Sequence, residues 1–329
     1  MVPRCFWRNI STACVALAAW IACSVGFAAE PAYPTRPIRL LIPFAPGGGS
    51  DTLARIITPK LTEALGQQWV VDNRGGAGGN LAAEIVAKAA PDGHTVFLGF
   101  NTVHTVNPSL YKLSFNMERD LAPVTLLATA QYILVLHPSV PANTLKDFIA
   151  LAKQKPGALN FSSGGMGTPL HLSAELFSKR AGIKMVHIAY KGGGPAAAAL
   201  LAGEVQVLFG SVASSMPHVK TGRLKALATT GLKRSKVAPE LPTLDESGFP
   251  GFNVGSWYAL LVPAKTPQYI TKRLRDAAIK AVGLPDVQQV MSAQGLEVET
   301  STPQELAARI KRESAVWAGV IKDAGIRAE

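Results

Sequence analysis

The sequence predicts an α/β protein of two domains built on one plan. Three observations lead there. Short, nearly uninterrupted apolar runs alternate with helical patterns, as expected for strands of a parallel sheet covered on both faces. Several of these runs end in a glycine-rich turn that opens a helix. The order strand, Gly turn, helix, strand, Gly-Gly turn, Ala-rich helix, strand also occurs twice, and the interval from Gly47 to Gly75 equals that from Gly164 to Gly192, 28 residues in each. A solenoid would repeat every ~20–50 residues, so the pattern reads as two domains instead.

In the first unit, residues 39–44 form an apolar strand, residues 46–49 a Gly-rich turn, and a helix begins near Ser50 or Asp51. Leu53, Ile56, Ile57, Leu61 and Leu65 give that helix one apolar face. Pro59 should kink it or split it at Thr58, and Gly66 ends it. Residues 68–73 are the second strand, 74–80 a second Gly turn, and an Ala-rich helix runs to about Ala89. Residues 95–100 are the third strand, with 101–105 on the loop at its C-terminal end, where ligands bind in such sheets. Residues 121–129 and 132–137 are two further apolar stretches, and 144–155 is a helix.

The second unit starts at Leu159 and continues with a helix from about Pro169 to Arg180 that turns Leu172, Leu176 and Phe177 inward. Strands at 185–190, 205–209 and 224–229 follow, with an Ala-rich helix at 196–202. Residues 233–252 form an irregular, Pro- and Gly-rich link. A strand at 256–262 and two helices, 267–282 and 303–323, return the chain to the first domain. The expected organisation is 1–28 as a signal peptide, 29–129 with 256–329 as domain 1, and 130–255 as domain 2, with crossovers near 129–132 and 230–256.

Composition narrows the function classes. The chain has 329 residues, 48% hydrophobic and 17% charged, which excludes a disordered chain. Residues 1–29 combine Arg4 and Arg8, an apolar run and the small pair Ala28-Ala29, the layout of a cleavable secretory signal. An uncleaved anchor, or a lipoprotein cut before Cys23, are the competing readings. Cys5, Cys14 and Cys23 all lie in this segment, so the mature chain has no disulfide and no cysteine metal site, in keeping with a bacterial periplasm. Removing residues 1–28 takes two arginines and no acid from a formal charge of +11, leaving +9. That balance suits anion capture and equally suits plain solubility. Nucleic-acid binding is not expected, since basic residues are scattered and aromatics make up 7%.

No catalytic constellation emerges: no G-x-S-x-G elbow, no H-E-x-x-H helix, and six histidines without metal-ligand spacing. His171 near a helix start reads as a hydrogen-bonded packing residue. The Gly turns match neither G-x-G-x-x-G nor the P-loop. They do place flexible backbone at helix N-termini, where unpaired N–H groups and the helix dipole favour an anion. Gly47, Gly48 and Gly49 form one such cradle; Gly164, Gly165 and Gly167 form the other. The expectation is that they face each other across a cleft around one small anion. Ser50 or Asp51 would cap the first helix and Thr168 the second, with Ser162 and Ser163 alongside. Asp51 opposes an anion and would instead meet an ammonium or water. Lys191 could offer charge, although a solvated lysine is the simpler reading.

At this point the motifs resemble a known family. Tyr33-Pro34-x-Arg36-Pro37-Ile38, Pro43-Phe44-x-Pro46-Gly47-Gly48-x-x-Asp51 and Asn73-Arg74-x-Gly76-Ala77-Gly78-Gly79 look like the Bug-type extracytoplasmic solute receptors of tripartite tricarboxylate transporters. So do Gly164-x-x-Gly167 with Thr168, His171 and Glu175, Tyr190-Lys191-Gly192, residues 222–228, and Leu241-Pro242-Thr243-x-x-Glu246-x-Gly248. The resemblance covers almost the whole mature chain. It implies a two-domain type II periplasmic-binding-protein (Venus flytrap) fold with a ligand cleft between domains. It also implies a carboxylated or carboxamide ligand held by backbone N–H groups and water, delivery to membrane permease subunits, no cofactor, no metal, no enzymatic activity, and a monomeric receptor in the periplasm. The contacts it implies are Phe44, Gly47, Gly48, Gly49, Ser50, Asp51, Asn101, Thr102, Ser162, Ser163, Gly164, Gly165, Gly167, Thr168 and Ser211. Two other roles are compatible with the residues: a ligand sensor for a membrane histidine kinase, and an α/β enzyme acting on a carboxylate.

Overall fold

The computed structural model describes residues 32–190 and 192–324, with the side chains of Asp323 and Ala324 left aside. The expected signal segment, its three cysteines and Lys191 lie outside the described residues.

The first half opens with β1 (Ile38–Ile42), α1 (Gly49–Leu65), β2 (Trp69–Asn73), α2 (Asn80–Ala87) and β3 (Thr95–Phe100). β1 pairs in parallel with both β2 and β3. Ile38, Leu40, Leu41 and Ile42 are all fully buried, so both faces of β1 are covered, as its largely apolar run requires. α1 is one helix ending at Gly66 in the left-handed region (φ 69°). The split expected at Pro59 does not occur. Pro59 lies on the exposed face, where water can serve the carbonyl left without its amide partner.

Three short helices follow: α3 (Asn101–Thr105), α4 (Asn107–Leu110) and α5 (Met117–Asp120). The chain then enters β4 (Leu121–Leu136), a single 16-residue strand. The two apolar stretches expected at 121–129 and 132–137 are therefore one strand, and the intervening Ala130-Gln131 lies within it.

The second half contributes α6 (Leu145–Gln154), β5 (Asn160–Ser163), α7 (Pro169–Ala181), β6 (Val186–Ala189), α8 (Gly193–Ala202), β7 (Val207–Ser211), α9 (Val212–Lys220) and β8 (Lys225–Thr229). The chain ends with β9 (Gly255–Pro263), α10 (Gln268–Gly283), α11 (Pro285–Ala293), β10 (Glu297–Val298) and α12 (Pro303–Ala324). Three helices therefore follow β9 where two were expected. α11 escaped notice because it is only nine residues long and starts at Pro285 directly behind α10.

The strand order is β2-β1-β3-β9-β4-β7-β5-β6, with β8 and β10 also on β4. β2-β1-β3 and β6-β5-β7 are the same arrangement, so the repeated pattern in the sequence is a repeated pattern in space. β4 serves both groups. Its residues 121–131 pair antiparallel with β9, and residues 132–136 pair with β7 and β8.

The handover is tightly bonded. Tyr132 N–H donates to Thr230 Oγ1 (2.9 Å), Thr230 N–H donates to the Tyr132 carbonyl (3.0 Å), and Val254 N–H donates to the Thr230 carbonyl (3.0 Å). The Tyr132 and Ser256 hydroxyls also bond to each other. α12 spans both groups. Leu306 and Ile310 are buried near its start, while Trp317 and Ile321 join the core cluster of Phe148, Phe177, Phe209 and Phe252.

Candidate functional site

The register fixes where the loops meet. Phe100, the last residue of β3, lies opposite Tyr258, which lies opposite Ala128 of β4. Ser211, the last residue of β7, lies opposite Tyr132 of the same strand. The C-terminal ends of the two parallel groups thus approach β4 from opposite directions, four residues or about 13 Å apart along it. The loops leaving β1, β2 and β3 face those leaving β5, β6 and β7. The halves also touch directly: a Cβ on Gly167 would come within 2.7 Å of Leu110, and one on Gly295 within 3.0 Å of the Ala213 Cβ.

Six helices follow these strands, preceded by Gly48, Gly79, Phe100, Thr168, Gly192 and Ser211. None of the six is closed by a side-chain cap. Elsewhere Asn116 and Thr144 do cap α5 and α6, and Thr302 with Glu305 forms a reciprocal box at α12. The first-turn amides facing the cleft therefore keep their hydrogen-bonding capacity and the positive end of the helix dipole.

In the first cradle the residue before the helix is Gly48; Ser50 and Asp51, expected as caps, sit inside the first turn. Asp51 has a different task. Its Oδ2 accepts from Gly47 N–H (3.0 Å) and pairs with Arg55 (2.9 Å), which closes the glycine turn from beneath. Gly47 holds φ +88°, a conformation that a side chain would strain. Burial, the largest single effect, works against the Asp51 charge. Hydrogen bonds from Arg55, the Gly47 amide and Asn73, with the Arg55 charge, together outweigh it and keep the carboxyl below the ordinary aspartate value of 3.8. Asp51 Oδ1, Ser50 Oγ and Asn101 Oδ1 are buried without a protein partner. Asn101 Nδ2 donates to the Gly255 carbonyl (2.8 Å), tying the end of β3 to the start of β9. Thr102 is buried beside it.

Phe44 lies half-buried, edge-on to Phe100 at 5.2 Å between ring centres, and Phe100 meets Tyr258 at 5.4 Å. Tyr258 Oη approaches Gly49 so closely that a Cβ there would lie 2.3 Å from it. Tyr258 was hidden in the sequence, because SWYALLV reads simply as a core strand. Asn73, which donates to the Phe44 carbonyl (3.0 Å), could have been found from its place at a strand end before a Gly turn.

In the second cradle Gly164, Gly165 and Gly167 form the turn, with Gly165 at φ +122° and Gly167 at φ +72°. The Thr168 hydroxyl donates back to the Gly165 carbonyl (2.7 Å), so it shapes the turn and leaves the helix amides uncapped. Ser162 donates to the Ala196 carbonyl (3.0 Å) and is fully buried. Ser163, also fully buried, bonds His187 Nε2 at 2.6 Å and accepts from Gly165 N–H at 3.1 Å. His171 Nδ1 accepts from Gly167 N–H (3.1 Å), which makes it the hydrogen-bonded packing residue expected. Its ring stacks on His187 at 4.1 Å. Ser211 is exposed at the start of α9.

Two histidines titrate far below their ordinary value. Burial holds His104 down to about 4; burial, then the neighbouring His171, holds His187 down to about 4 against the pull of Glu175. A histidine whose folded pKa is depressed binds its proton more readily in the unfolded chain. Stability should therefore fall as pH drops from about 6.5 to about 4, and fall further below 3.8 as Asp51 loses its charge. The midpoint of thermal unfolding measured across pH 3.5–7.5 checks this, and His104→Phe should flatten the upper part of the curve.

A two-lobed α/β protein with amide cradles facing each other across a shared strand is a ligand-binding receptor by architecture. Comparison with known proteins places it more closely. A sequence profile described as tripartite tricarboxylate transporter family receptor matches residues 53–326. The chain belongs to that family, whose members are periplasmic binding proteins of a transporter system. It is similar to BugT of Bordetella pertussis, 35% identical over 297 residues covering 90% of this chain and 91% of BugT. Its fold matches Rpa4515 of R. palustris solved with adipate (33% identity, TM-score 0.82, 90% of this chain and 99% of that one). It also matches MatC (Rpa3494) of Rhodopseudomonas palustris solved with malate (33% identity, TM-score 0.78, 88% and 100%). The type II periplasmic-binding fold implied by the motifs is thus the fold observed. Among the described residues no helix is long and apolar enough to cross a membrane.

Proposed function

We propose that this receptor captures a small carboxylated solute between its two cradles and delivers it to membrane permease subunits. One observation carries the reading: six helix starts without a side-chain cap, three from each half, follow strands whose C-terminal ends approach the same stretch of β4. Each helix N-terminus favours a carboxylate by roughly 0.3–2 kcal/mol, and closure lets both halves act on one guest. The carboxylates bound by Rpa4515 and MatC support the same chemistry. Residues 44–51, Asn101, Thr102, 162–168 and Ser211 are the proposed contacts. Among them, the buried hydroxyls of Ser162 and Ser163 shape the loop, leaving contact to the backbone.

The proposed lobes are 29–129 with 256–329, and 130–255, hinged where β4 hands over at Tyr132 and where the chain returns at Thr230 and Val254. α12 reaches across both. The proposed setting is the periplasm, after loss of residues 1–28, as a monomer. Ser163 and His187 are the nearest approach to a nucleophile and base. Ser163 is fully buried and engaged with the Gly165 amide, so a binding role without turnover is the reading adopted.

Isothermal calorimetry of the mature chain with mono-, di- and tricarboxylates tests the proposal. Saturable one-to-one binding of at least one is expected, with the compound recovered unchanged. Silence across carboxylates and carboxamides alike would remove the anion assignment.

A further inference from the structure

Two imidazoles fasten the second cradle. His171 of α7 is 2% exposed, and its Nδ1 accepts from Gly167 N–H (3.1 Å). His187 of β6, half-buried, bonds the Ser163 hydroxyl through Nε2 (2.6 Å), and that hydroxyl accepts from Gly165 N–H (3.1 Å). The rings are stacked, with 4.1 Å between the two imidazole centres and 4.8 Å from His187 to Phe161. Stacking holds each nitrogen against its partner. Two amides of the turn are thus spent on its shape, and that shape decides where the amides opening α7 point.

The Gly167 bond lasts only while His171 Nδ1 keeps its lone pair. A neutral imidazole has one acceptor nitrogen; an imidazolium has two donors and none. A proton on Nδ1 would set N–H against N–H, so the amide must turn away and carry the loop with it. Glu175, one turn along α7, places Oε1 3.6 Å from His171 Nε2 and would support the charge. β5 presents Phe161 and Ser163 to the pair, neither charged, and β6 presents His187. Two imidazolium rings this close would repel, so the pair takes up one proton. Titration of His187 would leave its own link intact, because the Ser163 hydroxyl can donate or accept. Burial, then His171, holds His187 down to about 4, so it stays neutral above pH 5.

We propose that His171 and His187 are positioning residues of the second cradle, and that a proton on His171 Nδ1 unfastens it, so that the receptor loses hold of its solute in acid. The proposal rests on the carboxylate reading of the cleft and adds a control to it. In its binding form the loop excludes the proton, so solute and proton oppose each other without sharing a site. Histidine is the side chain whose ordinary charge change falls between pH 5 and 8. Asp51 of the first cradle, held below 3.8, keeps its charge at pH 5.5. A carboxylate solute, ordinarily ionised above about 4.3, does the same.

The test has two readouts on the mature chain. Without ligand, the Gly167 amide signal followed by NMR from pH 7.5 to 5.5 should titrate as a single proton is taken up. In calorimetry, the tightest of the mono-, di- and tricarboxylates should bind about tenfold more weakly at pH 5.5 than at 7.5, since one linked proton allows up to about tenfold per pH unit. His171→Asn keeps an acceptor near the place of Nδ1 and takes up no proton, so the pH dependence should vanish from both readouts. Glu175→Gln touches neither amide and should move the loss to lower pH. Affinity that is flat in the unaltered chain overturns the proposal. So does a Gly167 signal that stays still, a dependence that survives His171→Asn, or a loss unmoved by Glu175→Gln. Silence of every carboxylate at pH 7.5 would remove the reading of the cleft instead, and the Gly167 signal would still decide whether the histidine unfastens the turn.

Discussion

Gly49→Ala should lower ligand affinity by roughly ten- to a hundredfold while leaving the protein folded. The added Cβ would stand 2.3 Å from Tyr258 Oη and 3.3 Å from its Cζ. The tyrosine cannot yield freely. It is 6% exposed, and its ring is braced by Phe100, which is braced in turn by Phe44. Crowding of this kind costs about 1–3 kcal/mol, and here it falls on the loop that presents the first cradle's amides. Calorimetry against the best carboxylate measures the loss. Adding Tyr258→Phe removes the hydroxyl from the clash and should return most of the affinity. If the single variant binds normally, Gly49 and Tyr258 are not part of the recognition surface.

Thr230→Val should destabilise the fold by about 2–4 kcal/mol with almost no change in shape. The threonine is fully buried. Its hydroxyl accepts from Tyr132 N–H and donates to the Val254 carbonyl, so one oxygen links the crossing strand to the returning one. Valine matches the outline and leaves two buried main-chain groups short of a partner, at about 1–3 kcal/mol each. Denaturant unfolding followed by far-UV circular dichroism reads the change. Thr230→Ser, which keeps the hydroxyl, should recover more than half of it. Equal losses for valine and serine would mean that the methyl group, not the bond, matters there.

Most strands were legible because a covered parallel strand is mostly apolar, and β1, β3 and β7 are, with a single polar residue each. The Gly turns were legible because left-handed backbone at Gly47, Gly165 and Gly167 demands that residue. Long-range contacts were not. Tyr258 meets Gly49 across some two hundred residues, and nothing local marks a tyrosine in an apolar run as one that reaches a loop. The unity of β4 was hidden because Ala130-Gln131 breaks the apolar pattern where the strand passes between groups. The capping expectations for Asp51 and Thr168 erred for one reason: each side chain had a second possible partner nearby, the turn's own backbone at Gly47 and at Gly165. Ser50 falls inside the first turn, one residue past the start of the helix. His171 went as expected because its imidazole had a nearby amide to accept from.

β4 passes unbroken from one group of strands to the other, and this sets the mechanical character of the molecule. A joint of loose coil would let the parts drift at no elastic cost. A ribbon clamped by ladder bonds at both ends behaves as a torsion bar: it twists through a limited arc and springs back. Opening and closing should then trace one reproducible path, and stiffening that ribbon should slow release of the cargo without altering what is chosen.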